Sequence, residues 1–247
     1  QVGFGSEVIN GPDGVALGGY WGRGKGAEGV NDDLSARVLF VPPVAVVALD
    51  LVGLTPESSM QLRETVQEVL QVSGTPVDVM VCCTHTHTGP QTHKNFIGMG
   101  HAGDSYFASV EAAVRAAAER AKQGLVPCSM QFARSEPLDI SVNRRQRVSP
   151  SDKCAQPSES QKKLWWFEKA GLTTLGTRPE GPRVPCADII SFSSVDETSA
   201  AGLVVASVLV FACHPTACGP LYMQSADYCG AARETVEAST GAPAMFP

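Results

Sequence analysis

Three of the five histidines of this chain lie within nine residues, at His85, His87 and His93. The first two stand in the segment Cys-Thr-His-Thr-His-Thr-Gly-Pro of residues 83–90, which directly follows an apolar run that fits a buried strand. On an extended backbone, side chains at i and i+2 project to the same side, so both imidazoles would face one way and the threonines the other. Two imidazoles on one side can bind one metal ion, or one can bind it while the other takes part in catalysis. A pair of hydrogen-bonded structural histidines is the alternative.

His214 is a fourth candidate ligand. It follows the apolar run of residues 203–213 and precedes Pro215, so it also stands at the end of a predicted strand. Loops at strand ends bind ligands in α/β proteins, and two such histidine sites in one chain indicate a shared metal site. Imidazole nitrogen suits zinc, and two or three histidine ligands leave a position for a water molecule, as a catalytic zinc site requires.

Two further groups of polar residues could contribute. Asn143, Arg144 and Arg145 follow another predicted strand. An arginine offers a fixed fork of donors for an anion or a polarised carbonyl oxygen, although adjacent arginines are usually just solvated. Asp227 either helps to begin a helix or orients a metal-binding histidine through its carboxylate.

The elements that would position these side chains alternate along the chain. Apolar runs predict strands at residues 36–41, 44–52, 77–83, 129–133, 138–142, 187–193, 203–213 and 242–246, and helical spacing predicts helices at 55–71, 104–124 and 227–239. Residues 1–35, with ten glycines, are expected to be irregular and to bring the backbone close to another group. The alternation favours an α/β fold with a mixed β-sheet core flanked by helices.

The polar residues 146–185 are the most loop-like segment of the sequence. Trp165, Trp166 and Phe167 interrupt it. Three adjacent aromatic residues in polar surroundings indicate a lid or a contact surface, or else a small separate core under a long loop.

Composition limits the function classes. With 247 residues and 26.0 kDa, the chain fits a single domain over residues 1–247. Its 43% apolar and 18% charged residues are typical of a globular protein, and 19 basic against 25 acidic residues argue against a nucleic-acid-binding domain. The longest apolar run is about half a membrane span, so neither a transmembrane segment nor a signal peptide is predicted.

The eight cysteines include no CxxC pair, which argues against a thiolate zinc site. An even number permits disulfides, so we expect a secreted or lumenal protein, with the cytoplasm as the alternative. Because the chain starts at Gln1 rather than at a methionine, we expect it to be a proteolytically processed product.

The collinear order of several motifs resembles the N-terminal catalytic domain of the neutral/alkaline, non-lysosomal ceramidase family. His-Thr-His-Thr-Gly-Pro at residues 85–90 is the most specific of these motifs. The others are the segments 18–20, 32–37, 48–54, 141–145, 211–215 and 225–227. The resemblance therefore spans nearly the whole chain.

The resemblance implies a zinc amidase that splits ceramide into sphingosine and a fatty acid. By position, His85 and His214 would be the Zn²⁺ ligands. His87 would be a catalytic, hydrogen-bonding residue beside the metal, and Arg144 a catalytic residue that holds the substrate. Zinc in such a site lowers the pKa of a bound water, polarises the amide carbonyl group and stabilises the oxyanion. Three further residues are candidates for contacts with the substrate or with the ligands: Asn143, Asp227 and His93.

The chain also departs from the family pattern. The family's further zinc ligands, a Glu and a Tyr, and its Gly-Asp-x-x-Pro element with a catalytic serine have no counterpart in the 247 residues. We therefore expect a fold that is incomplete at its C-terminal end, and activity only when a second polypeptide, the C-terminal cleavage product, completes the site. Residues 91–94, Gln-Thr-His-Lys, replace a small, Gly-rich stretch, so a smaller amide, ester or lactam is the alternative to ceramide as substrate.

Two other functions stay open. The same scaffold could use zinc as a Lewis acid in a lyase, cyclase or transferase reaction, because a fold does not fix a function. The chain could also be a non-catalytic subunit whose histidines are structural.

Overall fold

The computed structural model describes residues 1–71, 75–94, 99–147, 173–195 and 202–247. These residues belong to two units. The larger comprises Gln1–Ala133, Asp188–Val210 and His214–Pro247, and the smaller comprises Arg134–Ala187 and Phe211–Cys213. That the whole chain is one catalytic domain stays a prediction.

Twelve strands and three helices lie within the described ranges. The strands are β1 (Gly3–Val8), β2 (Gly29–Val30), β3 (Ser35–Val41), β4 (Val44–Leu49), β5 (Asp78–Cys83), β6 (Cys128–Arg134), β7 (Asn143–Arg147), β8 (Thr173–Arg178), β9 (Asp188–Ser194), β10 (Val204–Val210), β11 (Met223–Gln224) and β12 (Ala244–Met245). The helices are α1 (Pro56–Leu70), α2 (Asp104–Gln123) and α3 (Asp227–Thr240).

The first sheet of the larger unit has the order β1-β3-β4-β5. β1, β3 and β4 are antiparallel neighbours, and β5 runs parallel to β4. Helices α1 and α2 pack on this sheet, and the apolar surface buried between them is the main stabilising contribution to this part of the fold. The buried side chains include Leu62 and Val66 of α1, Val110 and Val114 of α2, and Val38, Phe40, Val47 and Leu49 of the sheet.

The second sheet has the order β12-β10-β9-β6. β10 is antiparallel to β9 and parallel to β12, with Ser207 opposite Ala244. A second group of buried apolar side chains joins the two sheets: Leu39 and Ala48 from the first sheet, and Phe192, Ala206, Val208 and Met245 from the second. The predicted α/β class, with mixed sheets and flanking helices, is confirmed.

The three helices begin and end close to the predicted residues. Thr55 caps α1 as its sequence indicates, because its hydroxyl accepts a hydrogen bond from the Ser58 amide at 3.1 Å and Pro56 is the first helical residue. Helix α2 begins at Asp104, as predicted, and Gly103 precedes it with a φ of 95°.

The expectation of an irregular segment over residues 1–35 is wrong for its first residues. Strand β1 pairs with β3 from Gly3 opposite Phe40 to Val8 opposite Ser35. Its glycines allow α2 to approach the strand: a Cβ on Gly3 would lie 1.8 Å from the carbonyl oxygen of Ala121, and one on Gly5 would lie 1.9 Å from that of Ala117. The same glycines make the strand hard to predict, because they carry no side chains and so interrupt the alternation of apolar and polar residues.

In the smaller unit, the predictions of a strand at residues 138–142 and of a loop at residues 146–185 differ from the structure. The sequence predicts a strand at residues 138–142. In the structure the strand is β7, which begins only at Asn143. β7 pairs antiparallel with β8, which lies inside the segment 146–185 that was predicted as a loop. Two polar strands show no apolar alternation from which they could be predicted. The three aromatic residues at 165–167 lie outside the described residues.

The described cysteines and helices bear on two further expectations. Seven of the eight cysteines lie in the described part of the chain and are present there as thiols, so the expected disulfides do not occur among them. Cys154 lies outside that part. No helix within the described ranges combines the length and the apolar character needed to cross a bilayer.

Candidate metal centre

The side chains of His85, His87 and His214 meet in the larger unit. One candidate ligand atom from each residue can be chosen so that all three lie within 4.8 Å of one another. The ring centroids of His85 and His214 are 5.0 Å apart, and those of His87 and His214 are 4.5 Å apart. His85 is exposed and the other two are half-buried, so the group opens toward solvent on one side.

His85 reaches this position by a turn of the backbone and not, as predicted, by strand alternation. Strand β5 ends at Cys83, and His85 has a φ of 67°, in the left-handed region that residues other than glycine rarely adopt. Its amide donates to the Leu51 carbonyl at 3.0 Å, and its Nδ1 is 2.5 Å from the Val52 carbonyl oxygen. A carbonyl oxygen only accepts hydrogen bonds, so this contact places a proton on Nδ1, and in the neutral imidazole the lone pair is then on Nε2.

His87 is enclosed by the glycine-rich segment near the start of the chain. Gly19 has a φ of 87°, and a Cβ placed on it would lie 2.3 Å from Cγ of His87. The Tyr20 ring meets the His87 ring edge-on, with centroids 5.0 Å apart. The expectation that these glycines bring the backbone close to another group is confirmed at Gly19.

Arg23 ties three segments together around His87. Its guanidinium group donates to the carbonyl oxygens of Gly18 at 2.5 Å, His87 at 2.9 Å and Leu221 at 3.0 Å, and lies 4.9 Å from the centre of the Tyr20 ring. Burial lowers the pKa of Arg23, but an arginine starts from so high a pKa that it stays charged at neutral pH. The charged guanidinium group of Arg23 therefore fixes the backbone at His87, because it donates hydrogen bonds to three carbonyl groups.

The threonines beside His85 and His87 are more buried than the histidines are. Thr84, Thr86 and Thr88 are buried. The hydroxyl groups of Thr86 and Thr88 donate to the carbonyl oxygen of Ser225, at 2.7 Å and 2.8 Å.

A buried ion pair supports the backbone beneath His85. Arg233 of α3 donates to both carboxylate oxygens of Asp50, at 2.8 Å and 2.7 Å. Asp50 also accepts the amide and the hydroxyl group of Ser35, and it directly precedes Leu51 and Val52, whose carbonyl groups hold His85. Burial alone disfavours the charged form of Arg233, but the attraction and hydrogen bonds of Asp50 outweigh it, and the pKa of Arg233 is raised.

Asp227 lies at the start of α3 and is buried. The sequence predicts either a helix start or a contact with a histidine. In the structure the Asp227 carboxylate accepts hydrogen bonds from the backbone amides of Ala217, Cys218 and Tyr228. The first two of these amides belong to the loop that follows His214. Asp227 thus holds the backbone of that loop.

Two of the remaining predicted site residues belong to the smaller unit. Asn143 and Arg144 belong to β7 of the smaller unit, where the Asn143 side chain donates to the Pro182 carbonyl at 2.7 Å and accepts the Arg145 amide at 2.9 Å. Arg144 is exposed. His93 is half-buried, and the group of three histidines does not include it. A role of these residues in substrate binding stays a prediction.

Two residues at the site were not selected as functional from the sequence. Tyr20 was part of the motif 18–20 on which the resemblance rests, so a signal was present. Arg23 had none: it stands among glycines and a lysine, where an arginine is expected to be solvated. Its role depends on carbonyl groups 64 and 198 residues away in sequence.

Comparison with known proteins supports the fold. No protein-family model matches the sequence, and no curated protein matches it. Among solved structures, the neutral ceramidase from Pseudomonas aeruginosa matches 99% of this chain with a TM-score of 0.70 and 21% identity. A ceramidase complexed with C2 matches 99% of it with a TM-score of 0.65 and 20% identity. This chain covers 37% of the first protein and 36% of the second. Over nearly its whole length, the chain therefore has the fold of just over a third of these ceramidases.

Proposed function

We propose that this chain is the histidine-bearing part of a zinc-dependent, ceramidase-like hydrolase that cleaves an amide bond. The observation that carries the proposal is the meeting of His85, His87 and His214, with candidate ligand atoms within 4.8 Å of one another. The fold supports it, since both matched structures are ceramidases.

The chemistry of the three side chains fits a zinc ion. Imidazole nitrogen is a preferred zinc ligand, and the ligand must be neutral with its lone pair available. His85 meets this condition at Nε2, because its Nδ1 proton is held by the Val52 carbonyl oxygen. Such a hydrogen bond on the second ring nitrogen is the usual support of a metal-binding histidine. We assign His85 and His214 as ligands and place His87 beside the ion.

A zinc ion bound here would supply a Lewis acid that lowers the pKa of a water molecule and polarises the scissile carbonyl group. The residues of the chain then have separate roles. His85 and His214 present their lone pairs, and His87 donates a hydrogen bond to the substrate oxygen as negative charge develops on it. By the family resemblance, Arg144 would hold the substrate through its fork of donors. The substrate is ceramide or a smaller amide or ester.

We also propose that a second polypeptide, the C-terminal product of cleavage, completes the active site. Two or three histidines leave at least one coordination position of a tetrahedral zinc to other groups. The chain spans just over a third of the length of each matched ceramidase.

Native mass spectrometry of the purified protein tests both parts. We expect one zinc ion in a complex of this chain with a second polypeptide, and hydrolysis of a short-chain ceramide or a small N-acyl amide by that complex. A chain that takes up no zinc contradicts the metal site. A chain that binds zinc tightly and turns over substrate on its own contradicts the need for a second polypeptide.

A further inference from the structure

The turn formed by Ser225, Ala226 and Asp227, here called the 225–227 turn, contacts the segment that carries His87. Its Ser225 carbonyl oxygen accepts the hydroxyl groups of Thr86 and Thr88, the residues on either side of His87. In return, the Ser225 amide donates to the Thr88 carbonyl at 3.3 Å. Both threonine side chains are fully buried, so water cannot replace these hydrogen bonds when they are lost.

The same turn contacts the loop that begins at His214. One carboxylate oxygen of Asp227 accepts the Ala217 amide at 3.1 Å, and the other accepts the Cys218 amide at 2.9 Å. Hydrogen bonds to an ionised carboxylate are roughly twice as strong as those between neutral groups. Asp227 has a φ of 57°, a strained conformation for a residue with a side chain, which persists only where the surroundings hold it.

A third contact fixes the turn itself. Asp32, which follows β2, accepts the Ser225 hydroxyl at 2.5 Å and the Ala226 amide at 2.7 Å. The turn is therefore held from one side by Asp32 while it binds both histidine-bearing segments. A movement of either segment relative to the other breaks hydrogen bonds to the turn, which are buried on the threonine side and partly buried on the Asp227 side.

We propose that the 225–227 turn fixes the segment of His85 and His87 relative to His214, and that it thereby sets the separation of the ligands His85 and His214 and tunes the affinity of the site for its metal. Thr86, Thr88 and Asp227 are positioning residues in this proposal: they act through the histidines. It rests on the proposed function, which names the metal ligands. Outer contacts of this kind change metal affinity by roughly 10- to 100-fold when they are removed.

The test is a titration of the purified protein with Co²⁺ alone, followed by the absorption bands that report the ligand geometry of cobalt. The variants are Asp227→Asn and the double variant Thr86→Val with Thr88→Val. The control is Thr65→Val, because Thr65 is also buried and also donates its hydroxyl, at 2.7 Å to Glu111, but lies on α1. The melting temperature of each metal-free variant is measured as well.

We expect both site variants to bind Co²⁺ roughly 10- to 100-fold more weakly, with shifted absorption bands, while Thr65→Val binds as the wild type does. Wild-type affinity and bands in both site variants overturn the inference, as does an equal loss in Thr65→Val. If Asp227→Asn does not fold, the single variant Thr88→Val decides by the same criteria. A wild-type protein that binds no Co²⁺ contradicts the proposed function itself, and the inference with it.

Discussion

Gly19 lies directly against the imidazole ring of His87. A Cβ built on Gly19 would be 2.3 Å from Cγ and 2.5 Å from Cβ of His87, distances that no real contact allows. The φ of Gly19 is 87°, a value that glycine adopts far more readily than other residues do. The backbone of the glycine-rich segment therefore packs directly against one side of the His87 side chain.

We expect Gly19→Ala to displace His87 and to lower the rate of amide hydrolysis, because a shift of about 1 Å in a catalytic group can reduce the rate roughly 100-fold. Gly22→Ala is the matched control. Gly22 has a φ of 79° in the same segment, but nothing lies within 4 Å of its Cβ position. Both substitutions place a side chain at a positive φ, so both carry backbone strain. Only the new Cβ of Gly19→Ala clashes with the imidazole ring of His87. Equal rates for the two variants would show that the contact with His87 has no effect on the reaction.

Replacement of each histidine separates the two roles assigned to them. We expect His85→Ala and His214→Ala to lose both bound zinc and activity, and His87→Ala to keep most of the zinc while hydrolysis slows. Zinc content by mass spectrometry and the hydrolysis rate are measured on the same preparations. Full activity in His214→Ala would refute the assignment of the site, and loss of zinc in His87→Ala would make His87 a third ligand.

Burial of the Cys229 thiol predicts a loss of stability in alkali. Burial raises the pKa of Cys229 to about 12, from an ordinary value of 9.0. Below pH 9 the thiol is neutral in both states; between pH 9 and 12 it loses its proton only in the unfolded chain, so rising pH favours unfolding. One such group contributes a slope of about 1.4 kcal/mol per pH unit.

The measurement is urea unfolding of the wild type and of Cys229→Ala between pH 8 and pH 11. We expect the free energy of unfolding to fall less steeply with pH in the variant, whatever its stability at pH 8. Cys186→Ala is the control, since Cys186 is half-exposed in the smaller unit. Parallel curves for wild type and Cys229→Ala would exclude this thiol as a source of the pH dependence.

The convergence of the histidines was predictable because it depends on where strands end. His85 and His87 follow one apolar run and His214 follows another, and both runs became strands of the larger unit. The geometry by which His85 arrives was not predictable, because its left-handed φ depends on the carbonyl groups of Leu51 and Val52, more than 30 residues earlier. Local spacing carries no information about such partners.

The contacts that hold the site were less accessible to sequence reasoning than its ligands. Asp227 was a candidate, but its partners are backbone amides, which every residue possesses and no pattern distinguishes. Strand β1 was missed because Gly3 and Gly5 serve the packing of α2 and leave no apolar alternation. The hydrogen bonds of Asp227 and the position of β1 therefore depend on packing between distant segments, which the local sequence pattern does not show.

The buried ion pair of Asp50 and Arg233 gives the largest predicted effect on stability. The two side chains are 1% and 4% exposed, so Arg233→Met leaves the Asp50 carboxylate buried without its cation. Removal of one partner of a buried pair costs about 3–5 kcal/mol, because the remaining charge keeps its desolvation penalty. Denaturant unfolding of the metal-free protein measures the change. Glu68→Gln is the control: its pair with Arg115 at 2.9 Å is exposed, so the free energy of unfolding should hardly change. An equally small change in Arg233→Met would contradict a large contribution of this ion pair to stability.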